Sequence, residues 1–476
     1  MMAFLYSFLT LFQPGIFWPV LSDFRPMMII SIFCLFAGLA TIGSYIRHEV
    51  FLHPASMCLL CFIGVEIISL FSHGINTGLA GLAFFGTYLF FFVVSLTLIC
   101  NQRNLVGYVW GTIAGGLFIV GFGIYAVMNG MPNAIGGRAG AYGMYENHND
   151  YSFVIIQILP FLYMARKITR SLLIRSLLGA GFIACIVGIL LSLSRGGMLA
   201  LLLEILLIVM IGMQGKKRLW WLPILVLVGS AAISYQWSKR AENQGNNYTA
   251  ADAENSRLEL WRAGGAMLAD HPLLGVGAGQ FAENAQFYGE ISHDNLGKNS
   301  HNTYLEILTG TGLLGFTLFV GFIVQLLCGL HRISYPHVSA TIDAIRRATL
   351  IATYSILLRA TLDAKGYDWS FYMLGVIGIG CIILHRRLSV NAGLALVNSS
   401  FVLQKTEEFH NGIILSSDCN NNVHELNFLQ EQDTSGVTGK LGGATNIGRI
   451  QSDVDLIPVY PVTVPKYHKR CPLNGS

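Results

Sequence analysis

Time after time along this chain, a run of about twenty apolar residues, long enough to cross a hydrocarbon layer, gives way to a short polar connection. No feature constrains the fold more. A backbone inside lipid must satisfy its own hydrogen bonds, which leaves helices or a closed barrel. Unbroken runs such as "GLFIVGFGIYAVM" lack the apolar–polar alternation of barrel strands, so the expectation is helices. Composition agrees. Of 476 residues, 53% are hydrophobic and 12% charged, about half the charge of a soluble domain. Mean hydropathy is +0.55. The first basic residue is Arg25, so no removable signal peptide is expected.

The pattern predicts about twelve spans, near 4–21, 27–46, 55–73, 77–100, 105–128, 150–166, 172–192, 196–213, 219–236, 303–330, 345–363 and 368–385. The first is interrupted by Pro14, Gly15 and Pro19. Residues 1–236 thus hold spans one to nine, 237–302 form one large loop with short helices, and 303–387 hold the last three spans. Residues 388–476 are polar, without helical period, and read as a disordered cytoplasmic tail. The Cys58/Cys61 pair has a redox or metal spacing, but at the start of a span it reads as small buried side chains.

Lys and Arg set the orientation. One set of alternate short loops holds fourteen, from Arg47 to Arg387, and the other only Arg25, Arg138, Arg195 and Lys365. The first set is therefore cytoplasmic. The loops 129–149 and 237–300 and the turn at Arg195 face outward.

Those outward segments collect polar groups that a bare connector does not need. "GGRAGAYGMYENHNDYS" carries Arg138, Glu146 and His148, which a merely hydrated turn would also accommodate. Arg195 stands alone in a turn that Gly196 and Gly197 allow, where a guanidinium can snorkel to lipid phosphate or fork onto a bound one. Within the large loop, Ser256 and Glu259 are spaced as a capping box, opening a helix in which Leu258, Trp261 and Leu268 share an apolar face. His271–Pro272 ends it. Arg257 on that helix is a candidate anion contact. Gly275, Gly277 and Gly279 mimic a nucleotide-binding loop, but no strand precedes them, so they read as close backbone packing against the membrane domain.

At the loop exit, Thr303 and Glu306 form a second capping-box spacing, so a helix should start near Asn302. His301 then sits at the positive end of a helix dipole, which disfavours imidazolium and leaves a ring able to accept a proton. Nearby N–H groups favour an anion. The plainer alternative is a histidine that only helps to cap the helix. Arg359 and Asp363, one turn apart near the outer end of the eleventh span, read as an ion pair bracing the site.

"SRLELWRAGGAMLADHPLLGVGAGQF" followed by "SHNTYLEILTGTGLLGF" resembles the O-antigen ligase superfamily of bacterial membrane enzymes, as do "SLSRGG" and "GRAGAYGMYENHNDYS". The resemblance covers about residues 30–385. It implies an all-α integral membrane protein, GT-C-like, with about 12 transmembrane helices and one large periplasmic loop. It implies an inner-membrane glycosyltransferase, without cofactor or metal, that moves a glycan from undecaprenyl diphosphate to an acceptor hydroxyl at the periplasmic face. The acceptor is then lipid A-core, a growing glycan or a protein, with membrane lipid as a further partner and no nucleic acid. His301 matches the motif histidine, proposed as base or acceptor-positioning group. Arg195, Arg257 and, less closely, Arg138 match donor-diphosphate arginines, with Asn302, Glu306, Arg359 and Asp363 in support. Among readings of other classes, a polytopic transporter lacks a repeat between halves and a pair of broken helices. A zinc enzyme using His293, Asp294 and His301 lacks helical ligand spacing.

Overall fold

The computed structural model describes residues 1–18, 20, 26–41, 49–132, 137–212, 250–333 and 339–389, with isolated positions between 223 and 238. Among the described residues there are helices and connections and no strand. The helices are α1 (Met2–Phe12), α2 (Pro26–Thr41), α3 (Pro54–Phe71), α4 (Ile75–Leu98), α5 (Gln102–Met128), α6 (His148–Ile168), α7 (Leu172–Ser192) and α8 (Arg195–Leu207, continued by a π turn to Gly212). Then follow α9 (Ala250–Asp270), α10 (Thr303–Arg332), α11 (Ala340–Ala360) and α12 (Trp369–Ser389).

Eight of these are long and apolar enough to cross a membrane: α3 to α8, α10 and α12. The chain is a multi-pass membrane protein. Its first predicted span is not one helix. α1 has 11 residues and stops at Gln13, whose φ of 51° is left-handed, before a separate turn Pro14–Phe17. Eleven residues rise roughly 16 Å, short of the roughly 30 Å core. The eleventh predicted span is α11, whose Asp343, Arg346, Arg347 and Arg359 keep it outside the apolar set. The predicted ninth span, 219–236, and the tail from 390 lie outside the described residues, apart from isolated positions in the former.

Small residues let the helices meet. α1 lies on α5 along Gly107, Gly111 and Gly115, a small-xxx-small ridge. A Cβ at Gly111 would stand 2.1 Å from Ser7 Oγ, and that hydroxyl donates to Tyr108 O at 2.8 Å. Cys61, expected to be buried, is exposed on α3. α6 packs against α7 and α11, and α8 packs against both α11 and α6.

α10 is broken. Gly312 has φ 64° and ψ −168°, separating Thr303–Thr311 from the longer second half. The stretch after α9 fills the break with main-chain bonds. Val276 N and Gly277 N donate to Thr309 O (2.8 Å) and Gly310 O (3.1 Å), and Leu313 N donates to Pro272 O (2.8 Å). A Cβ at Gly275 would lie 2.2 Å from Thr309 O, and one at Gly312 2.3 Å from the Leu273 backbone. Gly275 and Gly277 in "PLLGVGAG" therefore dock backbone to backbone, as their sequence context suggested, whereas Gly279 faces open space.

α9 differs from expectation in two ways. It begins at Ala250, so Ser256 is internal and does not cap it. Glu259 instead reaches Asn295 Nδ2 (2.8 Å) and Ser292 Oγ (2.9 Å), tying the loop's two arms together. Its buried face is Leu260, Ala263 and Met267, packed on Val276 and Phe281, while Leu258 and Trp261 are exposed. Leu258 and Leu260, two residues apart, lie on nearly opposite faces of the helix, and docking of the glycine stretch selects the second.

Candidate active site

The loop exit is fixed by a small hydrogen-bond network. Asn302 caps α10, its side-chain oxygen accepting from Tyr304 N (3.0 Å) and Leu305 N (3.1 Å). Thr303 was the expected cap partner of Glu306. Glu306 Oε2 instead accepts from Ser300 N (3.3 Å) and Ser300 Oγ (2.9 Å). Thr303 Oγ1 turns the other way, donating to Asp363 O (2.7 Å) and accepting from Lys365 N (2.8 Å). The cap position had shifted by one residue, which freed Thr303 to hold the turn after α11.

Between these anchors His301 has φ 53°. A non-glycine residue there carries about 1–3 kcal/mol of strain, which the flanking bonds must hold. Burial lowers the imidazole pKa from its ordinary value, and the charges of Arg257, Lys298 and Arg359 lower it further against the opposing pull of Asp363. Burial thus adds to the helix dipole that the sequence suggested, and both favour the neutral ring.

The turn between α7 and α8 is built by Leu193, with φ 48°, and not by the glycines, which already lie in α8. Ser194 Oγ accepts from Gly197 N (3.2 Å), donates to Asn149 Oδ1 (2.8 Å) and accepts from Arg359 Nη2 (3.3 Å). A Cβ at Gly196 would sit 2.2 Å from Arg359 Nη1. The glycine is there for the guanidinium. Arg359 is only 2% exposed and pairs with Asp363 at 3.0 Å. A buried charge of this kind persists only when paired.

The three candidate donor arginines are placed differently. Arg138 directs Nε to Ser192 O (3.1 Å) and Nη2 to Leu193 O (3.1 Å), closing the C-terminus of α7. Arg195 opens α8 and is half-buried. Arg257 lies on α9, close enough for its charge to act on both His301 and Arg359.

Beside His301 opens a cleft of about 400 Å³. The start of α6 contributes Asn147, Asn149 and Asp150. The loop exit adds Lys298 and Asn299, and the turn after α11 adds Asp363, Ala364 and Lys365. Lys365 and Asp150 form an ion pair across it. Neither of the two was singled out in the sequence. The signal for Lys365 was available: it is one of the four cations that run against the orientation bias. His148 and Glu146, the other polar groups noted in that outward stretch, do not line the cleft. Among the described residues, no group of three or more His, Cys, Asp or Glu is arranged to hold a metal ion.

Residues 180–320 match a family model described as O-Antigen ligase. The matched stretch runs from α7 through the Arg195 turn and α9 into α10, and contains Arg195, Arg257, His301, Asn302 and Glu306. No curated protein matches the chain.

Proposed function

We propose that this chain, whose residues 180–320 match an O-antigen ligase family model, transfers a glycan from undecaprenyl diphosphate to an acceptor hydroxyl at the periplasmic face, with lipid A-core as the acceptor. As a ligase- or polymerase-type membrane enzyme, it needs a base for the hydroxyl and cations for the departing diphosphate. The observation that carries the reading is His301. It is an imidazole held in a strained conformation at a capped helix start and opening onto a polar cleft, with a pKa that burial lowers.

In the proposed reaction His301 takes the proton of the acceptor hydroxyl. The acceptor oxygen forms a bond to the anomeric carbon of the donor. The bond from that carbon to the diphosphate oxygen breaks, and its electron pair leaves with the lipid diphosphate. Arg195 and Arg257 are assigned to the charge that develops there. Arg138, engaged with the α7 carbonyls, supports the Arg195 turn. Arg359 and Asp363 hold Ser194 and the cleft wall together. The Lys/Arg bias puts this end of the bundle outside the cytoplasm.

The deciding experiment is the glycan profile of a strain lacking the gene. Loss of long-chain lipopolysaccharide with accumulated lipid-linked polymer supports ligation. Short chains point to a polymerase, and normal glycan with missing protein glycosylation to an O-oligosaccharyltransferase. Unchanged glycans of every kind would refute transfer altogether.

A further inference from the structure

Within the proposed transfer reaction, two substrates must meet at His301, and the cleft differs in character from what a diphosphate needs. Its charged lining is two carboxylates, Asp150 and Asp363, and two ammonium groups, Lys298 and Lys365, so with His301 neutral the charges cancel. Among the described residues, no arginine lines it. Arg195 and Arg257, the candidate diphosphate ligands, lie outside its wall, and Arg359 behind it is already bound to Asp363 and Ser194. The remaining lining, among the described residues, is amide-rich and holds neither an aromatic nor a large aliphatic side chain.

We propose that this cleft is the acceptor subsite, that it takes an uncharged, hydroxyl-rich sugar ring, and that the Asp150–Lys365 pair selects that ring. The assignment rests on the transferase reading above. The volume of about 400 Å³ suits one or two sugar rings and leaves no room for a folded protein segment. A carboxylate beside an ammonium offers an acceptor and a donor at the spacing of neighbouring hydroxyls, and charge-assisted bonds of this kind are the strong ones. Asp150 and Lys365 come from elements far apart in sequence, the first turn of α6 and the turn after α11, so their side chains bridge the cleft. Lys365 is held by its own backbone N–H on Thr303 Oγ1, next to His301. A hydroxyl bound to this pair is presented to the imidazole, and the diphosphate remains on the arginine side. A site that binds a hydroxyl this way rejects analogues lacking it, because its own polar groups are then left unpaired.

The test measures binding of methyl hexopyranosides to the full-length chain in detergent, with inorganic diphosphate as competitor and donor-analogue binding in parallel. A methyl hexoside should saturate the wild type and not be displaced by diphosphate. Asp150→Asn and Lys365→Met should weaken it by about ten- to a hundredfold, the range for losing a charged hydrogen bond. Binding of a lipid diphosphate analogue should stay as in the wild type. The swap Asp150→Lys/Lys365→Asp keeps the bridge but exchanges donor and acceptor, so sugar binding should remain weak even though the turn is held. Three results would overturn the assignment: no hexoside binding by the wild type, displacement by diphosphate, or wild-type sugar binding in the swapped variant. If the sugar binds as stated but a deletion strain has normal glycans, the transferase reading fails and the sugar subsite stands.

Discussion

The two ends of the helical bundle use the same charged residue types for opposite purposes. At the end predicted to be cytoplasmic, cations close helix termini. Arg346 and Arg347 share Asp343 at 2.7 and 2.8 Å, and Arg347 also donates to Ile211 O at 2.9 Å. Lys167 reaches Gly212 O at 2.6 Å, and Arg387 joins Glu49 (3.0 Å) to Cys100 O (2.8 Å). The last carbonyls of a helix have no partner inside it and attract positive charge. At the other end Arg359–Asp363 and Lys365–Asp150 border open space beside His301. At that end Arg138 still closes a helix, but Asp150, Asp363 and Lys365 line a cleft. The lesson is that exceptions to an orientation bias are worth inspecting one by one, since Lys365 borders the cleft while Arg138 serves architecture. Of the four exceptions, Arg138, Arg195 and Lys365 are described, and all three lie at the cleft end.

Variants test that contrast. The largest effect should come from His301→Ala, which removes the proposed base and should lower transfer by about 10²- to 10⁴-fold. Binding of a lipid diphosphate analogue should be nearly unchanged, and full transfer by purified His301→Ala would take the residue out of the mechanism. Next is Arg359→Met. It leaves Asp363 buried without its partner, so unfolding in detergent should become easier by about 3–5 kcal/mol. Retained stability would mean that the ion pair does not brace this end. Gly312→Ala should cost about 1–3 kcal/mol, since alanine is strained at φ 64° and its Cβ meets the Leu273 backbone. Limited proteolysis of the 272–277 stretch reads the undocking.

The pH dependence is a smaller and more specific test. Only the neutral ring accepts a proton, so transfer should fall as pH drops through the folded His301 pKa. Burial places that value below the ordinary histidine value near 6.5. Activity should therefore persist below pH 6.5 before it declines, and a midpoint above 6.5 in a pH–rate profile would contradict the burial argument. The smallest effect belongs to the other end. Arg387→Ala loses a partly exposed pair, worth about 0–1 kcal/mol, and transfer per folded molecule should not change. A large loss there would erase the distinction between the ends.

Local regularities carried most of the fold. α6, α7, α8 and α10 begin within two residues of their expected starts, because lipid thickness and backbone satisfaction leave an apolar run little freedom. His271–Pro272 ended α9 and Asn302 began α10 where turn chemistry requires. His301, Asp363 and Arg359 came within reach by motif and by the cost of charge in a span. Asp150 as Lys365's partner did not, because they are 215 positions apart and no local pattern links them.

The sequence by itself therefore determined a helical membrane chain, its bias of charge between faces, and a histidine placed at a helix start. Those properties depend on neighbours within a turn or two. Only the tertiary structure decided that α10 breaks at Gly312 to receive the glycine stretch, that Gly196 makes room for Arg359, and that Arg138 serves a helix end. It alone also brought Asp150 and Lys365 together across the cleft. The physical reason is range. Hydropathy and capping act along the chain, whereas a missing Cβ, a buried ion pair or a cleft acquires meaning from atoms that packing brings from elsewhere.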